Sequence, residues 1–395
     1  MSEVSQRPSP IPGHRRDARI AGLDGLRAFS ISLVLLGHLA GMHDSDPNGF
    51  FVRAMDFFHL APLGVRIFFV ISGFLITTLL IDEEARTGTV SLARFYFRRT
   101  LRIFPPYYLF LVVLMVLDWR GALALWPGDV GHALTYTTNY HRERSWYTGH
   151  AWSLSVEEQF YLLWPFLYRG LGQARATRLL AAYILLAPVW RLTVAFAWPD
   201  QALSIGETFL TTADAIACGC WLALQRERLT GHRGYRRIMD SPWYLLLIPA
   251  LLVSVVLQRF AKLDWAVLIT LQNVCIALFV ERVTRTRVGW MARVLNARPV
   301  VLLGLWSYSL YLWQQLVLNR EQSGWTMAFP ANLAACLALA VTSYYLIEQP
   351  ALRLRHRLES RFFPKPASVP HRQVAASDSP PNESGAALSQ RPDGR

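Results

Sequence analysis

The chain has 395 residues, 53% of them hydrophobic and only 17% charged, with a mean hydropathy of +0.24. That balance excludes an ordinary soluble globular domain. A net charge of +13 on a soluble protein would suit nucleic acid, but here the arginines sit in loops between apolar runs of bilayer length, so a positive-inside topology accounts for them and no nucleic-acid partner is expected.

Residues 1–20 are polar and rich in Pro and Arg, and are expected to form a disordered cytoplasmic tail. No cleavable signal peptide is expected, because the first apolar run leads into more membrane rather than to a cleavage site. The first span, about 22–42, contains LDGLRAFSISLVLLGH. Arg27 and His38 are eleven residues apart in it. At about 100° per residue this is three turns plus about 20°, so both lie on one helix face, separated by a rise of about 16 Å. Two ionisable side chains at that depth, costing about 2.5–3.5 kcal/mol each on insertion scales, suggest a polar track through a helix bundle. The alternative is a snorkelling arginine and a histidine bonded between helices.

The loop 43–57 carries Asp44, Asp46 and Asp56 and is placed outside. The second span, 62–81, contains Gly64, Ser72 and Gly73, small residues that allow close helix approach. Arg66 near its outer end requires a partner. Residues 82–102 carry Arg86, Arg94, Arg98, Arg99 and Arg102, which puts them in the cytoplasm as an interfacial helix feeding a third span at 103–117. Arg99 and Arg102, three apart, face the same way. The external loop 118–150 is rich in aromatics, with Trp126, Tyr136, Tyr140, Trp146 and Tyr147 as belt residues or as a sugar-stacking surface.

The fourth span, 151–168, holds Glu157 and Glu158. Adjacent residues point in different directions on a helix, so at most one is expected to face the Arg27–His38 track. Further spans follow at 178–197, 203–224, 242–258, 264–281, 299–318 and 328–347. Joining loops alternate between arginine-rich and arginine-poor, which predicts ten spans with both termini cytoplasmic. The fold class is therefore all-α, an integral membrane bundle of about ten transmembrane helices. Residues 353–395 form a basic and then disordered cytoplasmic tail. The cysteines at 218, 220, 275 and 336 lie in apolar runs without CxxC spacing and are read as packing residues. Among the other buried ionisable residues, Asp214 lies on a small-residue face that suits a structural hydrogen bond. Glu348 either pairs locally with Arg353 or completes a site.

A histidine in a membrane helix can serve as a general base, and a cluster of arginines can hold phosphates. Glu157 or Glu158 could orient that histidine as the third member of a triad. No H-E-x-x-H, Walker A, GxSxG or GxGxxG motif is present. These residues leave open a membrane-embedded transferase and a transporter or flippase with a polar conduit.

The segments LDGLRAFSISLVLLGH, GVRIFFVISGFLIT, FYFRRTLRIFPPYY, AWSLSVEEQFYLLWP, SYSLYLW and LIEQP occur in that order. Together they resemble the acyltransferase 3 family, integral membrane O-acyltransferases of the bacterial polysaccharide and lipopolysaccharide O-acetylating type. The resemblance spans a membrane domain at residues 21–352. It implies transfer of an acyl group, usually acetyl from cytoplasmic acetyl-CoA, to a hydroxyl of a glycan, glycolipid or related acceptor, with no metal, in the inner (plasma) membrane. It further implies that His38 is base or acyl relay, that Glu157 and Glu158 are the family's acidic pair, and that Arg27, Arg99 and Arg102 bind the donor. Glu348 falls on the family's glutamate near the end of the last span. Two positions depart from the family's pattern: Gln314 stands where many members carry histidine, and Ala213 where an arginine often precedes the aspartate. The SGNH-type esterase domain of some members is not expected after the last span, so transfer is either direct or completed by a separate periplasmic partner.

Overall fold

A computed structural model describes residues 20–40, 49–198, 205–260, 265–319, 324 and 327–363. Residues 1–19 of the predicted N-terminal tail and 364–395 of the predicted C-terminal tail lie outside these residues, as do Asp44, Asp46 and parts of other loops, whereas the basic start of the C-terminal tail, 353–363, is described and is helical to Phe362. Among the described residues the chain is helical and contains no strand. The long helices are α1 (Leu23–Ala40), α2 (Leu60–Thr87), α3 (Leu92–Trp119), α4 (Ala151–Ala197), α5 (Asp214–Gly231), α6 (Leu247–Phe260), α7 (Trp265–Arg285), α8 (Arg298–Val317), α9 (Ala331–Ser343) and α10 (Gln349–Phe362).

Seven described helical runs are long and apolar enough to cross a bilayer, or eight if the bent pair Arg233–Met239 and Pro242–Gln258, meeting at 71°, is one span. The difference from about ten has local causes. The expected fourth and fifth spans are merged in α4, which breaks at Gly172 (φ 71°, ψ 165°), a conformation that favours glycine. The expected sixth span begins late, at Asp214, and ends in the polar run Gln225–Arg226–Glu227–Arg228, which lowers its hydropathy.

Large apolar side chains such as Leu79, Val112, Leu162, Phe166, Leu185, Leu186 and Val267 are exposed along these helices. On membrane-length helices with all backbone bonds made internally, that surface faces lipid. The chain is a multi-pass membrane protein.

Helix contacts follow the small residues. A Cβ on Gly73 of α2 would lie 2.0 Å from the carbonyl oxygen of Ile216, and one on Gly219 of α5 would lie 2.1 Å from that of Val70. The two glycines let the backbones of α2 and α5 touch. Gly64 brings α2 onto α1, where Ser30 Oγ donates to the Gly64 carbonyl at 2.5 Å. Gly304 of α8 abuts the backbone of Asp24, so α1 is wedged between α2 and α8.

The predicted interfacial segment is the first part of α3. Ser91 caps it by accepting from the Arg94 N–H at 3.3 Å, and Pro105 and Pro106 lie where it enters the bundle. Arg94 and Arg98 clasp Glu359 of α10. This basic end also holds the start of α1, where the Gly22 N–H donates to Asn296 Oδ1 at 3.0 Å.

At the opposite end, the loop from 120 to 150 folds inward around Asp129, which is fully buried and accepts from the N–H groups of Trp126 (2.9 Å) and Ser145 (3.1 Å). Tyr136 stacks on Tyr107 with ring centroids 4.6 Å apart, and Tyr147 is buried. Trp126 and Tyr140 remain exposed. Burial of Tyr136 and Tyr147 makes this segment a packed cap rather than a simple aromatic belt. The four cysteines are free and buried, as read from the sequence.

Candidate active site

The sequence-predicted residues fall into three groups along the bundle. In the basic half, Arg27 lies 3.6 Å from Asp24, one turn earlier on α1, and within Coulombic reach of Arg102, Tyr161 and Glu157. Arg102 makes no hydrogen bond or ion pair with any described residue. Glu348 accepts from Ser309 Oγ at 3.2 Å, with Arg102 and Arg27 as its nearby cations. A π-helical turn at Tyr344–Glu348, between α9 and α10, carries this glutamate. Such turns re-aim a side chain without ending the helix. Glu348 thus lies beside Arg27 and Arg102.

Arg99 forms the second group. Its guanidinium meets both carboxylates, 3.1 Å from Glu158 and 3.4 Å from Glu157, and lies over the Tyr161 ring at 3.5 Å. Glu157 also accepts from Ser72 and Tyr161. Adjacent glutamates diverge on a helix, and the Arg99 fork spans both; of the two, only Glu157 is also within Coulombic reach of Arg27. They satisfy Arg99, while Gln314 Oε1 of α8 lies 2.9 Å from His38 Nδ1. The triad arrangement considered from sequence, with a glutamate on the histidine, is not the one observed.

His38 is the third group, at the opposite end of α1. It lines a cavity of about 370 Å³ with Val34, Trp152 and Tyr311. Loop residues Arg142, Arg144, Trp146 and Glu207 complete the wall. Trp146 meets the imidazole edge-on, with ring centroids 5.5 Å apart. Arg144 bridges to Glu207 at 2.5 Å and donates to the His141 carbonyl at 2.8 Å. Gln315 Oε1 accepts from the His150 backbone N–H at 2.9 Å and lies 2.6 Å from its ring Nδ1. Sequence reasoning missed Gln315, His150 and Arg144. Of these, only Arg144 had a signal available, as a cation with Arg142 in the aromatic loop 118–150.

Arg66 and Asp214 stand apart from these groups. Asp214 forms a fully buried ion pair with Arg191 at 2.5 Å, and Thr270 Oγ1 donates to it at 2.9 Å. Arg191 also donates to the carbonyls of Thr211 and Ala266. Ala213 stands where relatives were expected to carry arginine, and α4 supplies the guanidinium to Asp214 instead. Arg66 finds its required partner in Gln272 of α7.

Residues 20–347 match the acyltransferase domain family Acyl_transf_3. The chain belongs to that family. Among relatives, YrhL of Bacillus subtilis strain 168 is 27% identical over 365 residues, 84% of this chain and 54% of that protein. The O-acetyltransferase OatA of Staphylococcus aureus strain MRSA252 is 27% identical over 394 residues, 88% of this chain and 60% of its own. The peptidoglycan O-acetyltransferase OatA of Listeria monocytogenes is 23% identical over 365 residues, 84% of this chain and 55% of its own. The chain thus spans somewhat over half the length of these Acyl_transf_3 relatives. No solved structure matches it. As a member of the family it carries an acyltransferase domain, on a membrane bundle whose polar residues gather at the points described above.

Proposed function

We propose that the chain is a membrane O-acetyltransferase that takes acetyl from acetyl-CoA at its basic, cytoplasmic end and delivers it to a hydroxyl of an envelope glycan at the other. Peptidoglycan, named for the Listeria relative, is the leading acceptor. The observation that carries this reading is the division of labour along α1. Arg27 lies at the end where Arg102 has no ion-pair partner among the described residues, and His38 lines a cavity walled partly by loops at the other end.

Arg27 and Arg102 offer guanidinium groups to the phosphates of CoA, and the flexible arm of the donor extends along the bundle toward His38. His38 takes the proton of the acceptor hydroxyl at Nε2. The acceptor oxygen bonds to the acetyl carbonyl carbon, the carbon–sulfur bond breaks, and its electron pair leaves on sulfur. Return of the proton from the imidazolium to the thiolate gives free CoA and the O-acetyl ester. Delivery is direct or passes through a separate transferase beyond the membrane.

Mass spectrometry of envelope glycans, from cells with the gene, without it, and with His38→Ala, tests this. One acetyl mass increment should vanish in both mutants while the His38→Ala protein stays in the membrane at its usual level. An unchanged increment in His38→Ala would remove the mechanism. Acetyl-CoA-independent export of an unmodified glycolipid would favour transport instead.

A further inference from the structure

We propose that Gln314 is a positioning residue for the transfer step: its side-chain oxygen holds His38 as the Nδ1–H tautomer and leaves Nε2 as the lone pair facing the acceptor. The inference rests on His38 being the base. Gln314 Oε1 lies 2.9 Å from His38 Nδ1. An amide oxygen only accepts, so the ring nitrogen that meets it carries the proton, and in a neutral imidazole the other nitrogen then carries none.

Gln314 is fully buried, and its Nε2 has no hydrogen-bond partner among the described residues. A buried amide with half its polar atoms unsatisfied is a cost that an apolar side chain would avoid, so its oxygen is the reason for its presence. The end of α8 is also fixed around it. The next residue, Gln315, is tied through Oε1 to His150. The Trp146 indole donates to the carbonyls of Gln315 and Leu318, both at 3.1 Å, while its ring lies against His38. The imidazole is therefore gripped on an edge and at Nδ1 by a rigid element, as a pre-organised base requires. A neutral amide sets the tautomer without placing another charge in the bundle.

The test uses membranes from expressing cells given radiolabelled acetyl-CoA, with label counted in envelope glycan. Gln314→Leu should lower kcat about 10- to 100-fold, the range for losing a histidine's orienting partner, with KM for acetyl-CoA unchanged. Gln314→Glu, which accepts through oxygen, or Gln314→His, which accepts through one nitrogen, should restore turnover. Gln314→Lys, which only donates, should resemble the leucine variant. Wild-type kcat in Gln314→Leu would overturn the proposal, as would failure of both Glu and His to restore turnover. A matching rise of KM in all four variants would assign packing instead and overturn it too. If His38→Ala itself transfers at the wild-type rate, the proposed function fails. If His38→Ala is inactive but Gln314→Leu is not, only this inference fails.

Discussion

Arg99 contacts one carboxylate oxygen of Glu158 with two of its nitrogens, Nε at 3.2 Å and the terminal nitrogen at 3.1 Å. The same guanidinium reaches Glu157 and covers Tyr161, so it is already committed within the protein. Arg102, three residues on, has no such partner among the described residues. The two arginines of one motif therefore behave differently. Arg99→Ala leaves two largely buried carboxylates without their cation and should destabilise the protein by about 3–5 kcal/mol. Membrane level and the detergent melting temperature would both fall. Arg102→Ala should keep both at wild-type values and raise KM for acetyl-CoA. Normal stability in Arg99→Ala would show that the glutamates do not depend on it.

Arg27 and Arg102 are within Coulombic reach of each other and of Glu348. Two like charges are held together at a cost that a bound anion relieves. If both bind one phosphate group, their effects on donor affinity are coupled. A double-mutant cycle on KM for acetyl-CoA, with Arg27→Ala and Arg102→Ala, should give an interaction energy of about 0.5–3 kcal/mol. Strict additivity would mean separate ligands.

The Arg191–Asp214 pair is fully buried and is bonded to Thr211, just before α5, and to Ala266 and Thr270 of α7. Asp214→Ala strands a buried guanidinium and should cost about 3–5 kcal/mol, seen as loss of protein from the membrane. The double change Arg191→Met with Asp214→Ala removes both charges and should recover most of that loss, because the pair's Coulomb attraction is offset by its desolvation. Transfer activity per molecule should survive in the double variant. Its loss there would give Asp214 a role in chemistry.

The parts of this molecule that sequence could show are those governed by local rules. Eleven residues of helix put Arg27 and His38 on one face, and Gly64 and Gly73 marked the contact surfaces of α2. A continuous apolar run announced α1, α2, α7 and α8. What sequence could not show depends on long-range contacts. Gln314 meets His38 across 276 residues of chain, and Arg191 meets Asp214 from another helix. No periodicity encodes such pairs. The cavity wall is drawn from loop residues whose positions follow from a buried Asp129, itself unremarkable in a polar stretch. The number of spans is hardest to count where hydropathy alone is weakest, at the Gly172 break and in the short polar-ended α5.

The α2–α5 crossing makes a last prediction about folding. A Cβ at Gly73 would sit 2.0 Å from the Ile216 oxygen, and one at Gly219 would sit 2.1 Å from the Val70 oxygen. Both obstacles are backbone, so neither can rotate away, and the helices must separate. Gly73→Ala and Gly219→Ala should each destabilise by about 1–3 kcal/mol, the range for overpacking. One separation relieves both clashes, so the double variant should cost less than the sum of the single changes. Gly170→Ala in α4, where no atom lies within 4 Å of the added methyl, is the control. It should hold or slightly raise the melting temperature, since alanine loses less backbone freedom in a helix. Melting curves in detergent across these four proteins check the argument. Equal, fully additive losses at Gly73 and Gly219 would mean that the two glycines act at independent contacts rather than at one crossing.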